Sequence, residues 1–166
     1  MVRETRTHDL PSDEAYMHEA LLEAEQAASE GEVPVGAILV HENTIVARGR
    51  NARERQQDPT AHAELIVIRE AAEQLQSWRL TGTTLYVTLE PCLMCAGAML
   101  QARIPRLVFS TRDPKAGACG SLFGLHEDRR LNHQIAVTYG ILENESRELL
   151  QRFFQRLRQD QPLAMN

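Results

Sequence analysis

Two short stretches, His62-Ala63-Glu64 and Pro91-Cys92-Leu93-Met94-Cys95, constrain this chain more than any other feature. One imidazole and two thiolates are good zinc ligands. A fold that uses them together must bring residue 62 against residues 92 and 95. A structural zinc closes its shell with four protein ligands, whereas a catalytic zinc keeps one position open for water. Three ligands without an evident fourth point to the catalytic kind. Glu64 stands two residues from His62, near enough to face such a water without ligating the metal.

The pattern of the remaining residues says how the two stretches can meet. Residues 13–30 predict a helix with Asp13 as its cap, Met17, Leu21, Ala24 and Ala28 on one face, and Gly31 ending it. Two strands are expected at 35–40 and 44–50, with a tight turn near Glu42-Asn43. A helix is expected over 61–76, a strand over 83–89, and a helix over 92–102 entered through Pro91. Short strands at 106–110 and 134–139 follow. A final amphipathic helix over 143–158 carries Leu149, Leu150, Phe153, Phe154 and Leu157 on one face. This order predicts a three-layer α/β/α sandwich around a mixed sheet of about five strands. A single domain is expected over 13–158, with a flexible extension at 1–12 and a tail at 159–166.

In that arrangement both ligand groups fall at helix starts. Cysteines three positions apart share a helix side, so both sulfurs can reach one ion. The positive end of a helix dipole favours the thiolate that zinc needs. In α/β sheets, sites gather where strands end and helices begin. The combined pattern, H-x-E followed by P-C-x-x-C, resembles the signature of zinc-dependent nucleobase deaminases. Zinc would then activate a water near neutral pH. Glu64 would take its proton, protonate a ring nitrogen, and deliver a proton to departing ammonia. Taken singly, each residue has a plainer role: His62 as a cap or surface side chain, Glu64 as a first-turn carboxylate, Cys92 and Cys95 as small core residues.

Composition fits a folded, non-membrane chain. Of 166 residues, 43% are apolar and 25% charged, and no apolar run is long enough to span a bilayer. The polar N-terminus lacks the apolar stretch of a signal peptide, so a cytoplasmic location is expected. Three cysteines, two of them a C-x-x-C pair, suit a metal or redox site better than a disulfide framework. A redox pair would leave His62 and Glu64 unexplained. The net charge of −5 argues against a domain that coats nucleic acid, but not against a local basic patch. Arg112, Lys115, Arg152, Arg156 and Arg158 are candidates for one; intrahelical pairing such as Glu148-Arg152 is the competing role. Asn51 ends a strand, and Asn132-His133 precedes another; each can bind a ligand or simply make a turn. His133 is a conceivable fourth ligand but fits a surface position better. Cys119 is expected to pack in the core.

Beyond the zinc motif the chain is similar to the bacterial tRNA-specific adenosine deaminases, a branch of the cytidine deaminase-like zinc enzymes. The resemblance covers about residues 14–158. It is most specific in Glu32-Val33-Pro34-Val35-Gly36-Ala37, in Asp58-Pro59-Thr60-Ala61-His62-Ala63-Glu64, and in the run from Leu85 through Glu90-Pro91-Cys92 to Met99. Weaker matches are Arg112-Asp113-Pro114-Lys115, Gly120-Ser121-Leu122, Leu131-Asn132-His133 and Phe153-Phe154. The resemblance implies one zinc per subunit, a homodimer, and conversion of adenosine to inosine at the wobble position of a tRNA anticodon stem-loop. It further implies contacts to the base from Asn51, to the substrate from Asn132, to the RNA backbone region from the loop of Asp113, and a pocket position for Phe154. The rival functions are a deaminase of free bases or nucleosides, and a non-catalytic RNA-binding subunit stapled by zinc. Glu64 argues against the second, because a staple has no use for a water-facing carboxylate.

Overall fold

The structure is a computed structural model that describes residues 11–161. Most of the expected N-terminal extension (1–10) and of the C-terminal tail (162–166) lies outside the described residues. In chain order the elements are α1 (Asp13–Ser29), β1 (Gly36–His41), β2 (Thr44–Arg50), α2 (Arg53–Gln56), α3 (Ala63–Gln74), β3 (Thr83–Leu89), α4 (Leu93–Gln101), β4 (Arg106–Thr111), β5 (Ala136–Tyr139) and α5 (Glu143–Asp160). A 3-10 turn at Leu125–Glu127 interrupts the β4–β5 connection. Neither α2 nor this turn is expected from the sequence. No helix among the described residues is long and apolar enough to cross a membrane.

The strands form one sheet in the order β2-β1-β3-β4-β5. β1 pairs antiparallel with both β2 and β3, while β3, β4 and β5 run parallel. Glu42 and Asn43 both take positive φ, as the turn of a two-residue hairpin requires. Successive strand residues point to opposite sides of the sheet, and the core divides accordingly. Ala37, Leu39, Leu85, Val87, Leu107 and Phe109 pack with Val67 of α3 and Met99 of α4. Ile38, Val40, Tyr86 and Val108 pack with Tyr16, Met17 and Ala20 of α1. This is the expected three-layer α/β/α sandwich with a mixed five-stranded sheet.

Two close junctions set the geometry. A Cβ on Gly36 would lie 2.1 Å from the Ala20 carbonyl oxygen, so α1 can rest on the start of β1 only because residue 36 is glycine. Ser146 of α5 is buried and donates its hydroxyl to the Thr88 carbonyl at 2.6 Å, which fixes α5 beside the end of β3.

Three local expectations need correction. Ser12, not Asp13, caps α1, its Oγ accepting from the Ala15 amide at 3.1 Å. Asp13 instead opens the helix and pairs with Arg106. The apolar face of α5 is only partly covered: Leu149, Leu150 and Phe153 are half-buried, while Phe154 and Leu157 are 41% and 42% exposed. The helix also runs past 158, to Asp160.

Candidate active site

Local chain geometry aims the three ligand candidates at one point. The Asp58 carboxylate accepts from both the amide and the hydroxyl of Thr60 (2.8 and 2.7 Å), a turn that delivers His62 as the N-cap residue of α3. The His62 side chain makes no capping hydrogen bond, which leaves its ring free. Cys92 occupies the same position before α4, also without a side-chain cap, and Cys95 lies in that helix's first turn. His62 Nδ1 sits 3.7 Å from Cys92 Sγ and 3.5 Å from Cys95 Sγ. All three ligand atoms lie within 4.8 Å of one another. A tetrahedral zinc with bonds of ~2.3 Å to sulfur and ~2.0–2.1 Å to nitrogen separates N from S by about 3.6 Å. The site is already at that spacing, and its one imidazole and two thiols are a donor set zinc favours. His133 is not part of it; its ring lies 2.7 Å from the Ile104 carbonyl oxygen.

Electrostatics separate the two sulfurs. Hydrogen bonding from Cys95, together with His62, pulls the Cys92 thiol down to about 3 and so favours its thiolate. The Cys95 thiol, donating to Cys92 and buried, is pushed upward. The bond to Cys92 raises His62. Glu64, 4% exposed in the first turn of α3, is raised to about 7 because burial disfavours its charge. A carboxyl tuned to that range can both take and give a proton near neutrality.

These residues open onto a cavity of about 720 Å³. Val33, Val35 and Leu89 form an apolar wall, Asn51 and Arg53 a polar one, and residues 112–116 a rim. Leu150, Gln151 and Phe154 of α5 close the third side. Asn51 is 6% exposed. Its Nδ2 donates to the Val33 carbonyl at 3.4 Å, which orients the amide, and its Oδ1 is buried without a partner among the described residues. That oxygen is an acceptor available to a ligand N–H. Asp113 and Phe154 line the cavity as well. Asn132 does not: it is exposed, in the turn before β5.

A second cavity of about 700 Å³ adjoins the first, sharing Arg112, Lys115, Leu150, Gln151 and Phe154. Arg147 and Arg158 line it too, whereas Arg152 and Arg156 line neither cavity. Arg147, not Arg152, makes the intrahelical pair, with Glu143. The Arg112 guanidinium lies over the Tyr139 ring, 4.2 Å from its centroid.

Two site-building residues escape sequence inspection. Glu32 and Glu90 are 1% and 2% exposed. Glu32 accepts from the amides of Glu54 (3.2 Å) and Arg55 (2.6 Å) and so holds α2 beside the cavity. Glu90 holds the rim loop on the opposite side. The sequence signals were their place in the stretches that carry the family resemblance and their position, each near the end of a strand at the ligand end of the sheet.

Residues 10–111 match the family model of the cytidine and deoxycytidylate deaminase zinc-binding region. A tRNA-specific adenosine deaminase from Bacillus subtilis (strain 168) is 49% identical over 155 residues, covering 93% of this chain and 96% of that one. The chain belongs to the tRNA-specific adenosine deaminase family. A tRNA-specific adenosine deaminase from Haemophilus influenzae (strain ATCC 51907 / DSM 11121 / KW20 / Rd) is 48% identical over 152 residues, 91% of this chain and 88% of that one. A solved structure from studies of A-to-I editing by tRNA:A34 deaminases superposes with a TM-score of 0.79 at 46% identity, covering 81% of this chain and 98% of that chain. The rim loop and α5 lie beyond the matched zinc-binding region of the family, whereas both ligand helices lie within it.

Proposed function

We propose that the chain deaminates adenosine hydrolytically to inosine at the wobble position of a tRNA anticodon, consuming water and releasing ammonia. The observation that carries this reading is the His62-Cys92-Cys95 triangle at zinc spacing with Glu64 buried beside it in a cavity. His62, Cys92 and Cys95 would hold the zinc, one per subunit. Zinc, when bound, activates water as a nucleophile near neutral pH. Glu64 takes the first proton from the attacking water and places it on the ring nitrogen next to the amine-bearing carbon. It then takes the second from the new hydroxyl on that carbon and gives it to the amine, which leaves as ammonia as the carbonyl forms. One carboxyl suffices because the three atoms are visited in turn. The partnerless Asn51 oxygen accepts from the base or its ribose, and the apolar wall excludes bulk water. Phe154 offers a ring face to an unstacked nucleotide, as single-stranded RNA recognition uses. Asp113 and Asn132 complete the substrate contacts, Asn132 from outside the cavity.

A homodimer in the cytoplasm belongs to the same proposal. Its support is apolar surface around α4: Leu93, Leu122 and Phe123 are exposed, and a Cβ on Gly97 would meet no atom within 4 Å.

The test is incubation of the zinc-loaded protein with an anticodon stem-loop carrying adenosine at the wobble position, and separately with free adenosine and cytidine. Inosine and ammonia from the stem-loop alone are expected. Equally fast turnover of a free nucleoside would assign a small-molecule deaminase instead.

A further inference from the structure

We infer that Glu90 is a positioning residue for the RNA substrate: its buried carboxylate bolts the cavity rim to the turn that carries Cys92. The inference rests on the functional reading above and adds a residue to it. Glu90 lies between the last residue of β3 and Pro91-Cys92, and its own amide donates to the Thr111 carbonyl at 2.9 Å. One carboxylate oxygen accepts from the amides of Cys119 (3.1 Å) and Ser121 (2.9 Å). The other accepts from the Asp113 amide (2.9 Å) and from the Ser121 hydroxyl. Four donors, all from residues 113–121, thus converge on a single side chain. A buried carboxylate without such partners is costly, and a buried loop amide must find an acceptor. Each requirement satisfies the other.

The loop has no slack over this contact. A Cβ on Gly117 would come within 2.3 Å of Glu90 Cδ and 2.6 Å of the Asp113 carbonyl oxygen. The Ala118 amide donates to the Pro91 carbonyl at 2.8 Å, and Cys92 and Gly117 form an isolated antiparallel bridge. The cavity face of this loop is Arg112 through Ala116. Glu90 itself borders the cavity beside Cys92, but both of its carboxylate oxygens are taken by the loop, so it acts on substrate through the loop and not by hydrogen-bonding the base. Its loss should therefore impair binding of RNA more than the chemical step.

Glu90→Gln tests this with little change of shape. An amide has one acceptor oxygen; turned toward the Cys119 and Ser121 amides, it leaves an NH2 facing the Asp113 N–H, donor against donor. In the full-length zinc-loaded protein we expect KM for the stem-loop to rise about tenfold with kcat within about threefold, since a charged hydrogen bond is lost at the rim only. Zinc content should stay at wild-type level. Gly117→Ala, pressing on the same carboxylate from the loop side, should give the same split. Hydrogen–deuterium exchange should accelerate in 113–121 in both variants and not in α3 or α4. Unchanged KM, or unchanged exchange in the loop, overturns the proposal. So does a parallel fall of kcat, zinc content and melting temperature, which would make Glu90 a general support of the fold. A wild-type protein that forms no inosine overturns the functional reading instead, and the exchange experiment still decides whether Glu90 anchors the loop.

Discussion

Asp13 and Arg106 form a two-point ion pair, Nη1 to Oδ1 at 2.9 Å and Nη2 to Oδ2 at 2.6 Å, joining the first turn of α1 to the start of β4. The Tyr86 hydroxyl donates to the same carboxylate at 2.8 Å. Arg106 holds the Asp13 carboxyl below the ordinary aspartate value of 3.8. A depressed carboxylate contributes stability that is full above its unfolded pKa and is lost as pH falls through the folded one. Asp13→Asn should therefore cost about 1 kcal/mol at neutral pH, lowering Tm by about 2–4 °C. The deficit should shrink as pH drops below 3.8. Calorimetry of both proteins at neutral pH and near pH ~3 checks this; a deficit independent of pH would assign the cost to helix packing.

Metal analysis of the purified chain should give one zinc per protomer. His62→Ala and Cys92→Ala should each lose it, because two remaining ligands do not make a tetrahedral site. Chelation should lower the melting temperature of the wild type, since a metal that binds only the folded form stabilises it. Full retention of zinc by Cys92→Ala would refute the ligand set.

Glu64→Gln should keep zinc and bind the stem-loop normally yet turn over ~10²–10⁴-fold more slowly. Binding is read by fluorescence anisotropy and turnover under single-turnover conditions. Near wild-type turnover would remove Glu64 from the proton path.

Arg112 and Lys115 flank both cavities, so replacing both with Gln should flatten the dependence of stem-loop affinity on salt. The expected loss is roughly 0.7 in the log–log slope per phosphate contact removed. Arg152→Gln should leave the slope alone, because Arg152 lines neither cavity. Equal flattening by all three substitutions would mean diffuse attraction instead of a track.

The ligand triangle was legible in the sequence because it depends on residue type at two helix starts, and local pattern places helix starts well. β2 and β3 fell on their expected bounds for a similar reason: turn residues mark their ends. What stayed hidden was decided by distant partners. Asp13 looks like a cap, but an arginine 93 positions away claims it and Ser12 caps instead. The periodicity of α5 names its apolar face but not how much of it a neighbour covers, and β3, β4 and α1 reach only part. Glu32 and Glu90 read as surface charges, since nothing nearby reveals that loop amides more than twenty residues away will surround them. Asn132, in the long β4–β5 connection, is exposed and lines neither cavity, which residue type alone does not reveal.

The cavity walls are made from segments in strict order along the chain, and this has a consequence for synthesis. Both thiols and the imidazole are synthesised by residue 95, while the rim follows with residues 112–121 and the α5 wall only with Leu150, Gln151 and Phe154. A nascent chain whose ligand segments have emerged therefore holds the full ligand set before α5 is complete. Metal capture can thus precede closure of the pocket by α5.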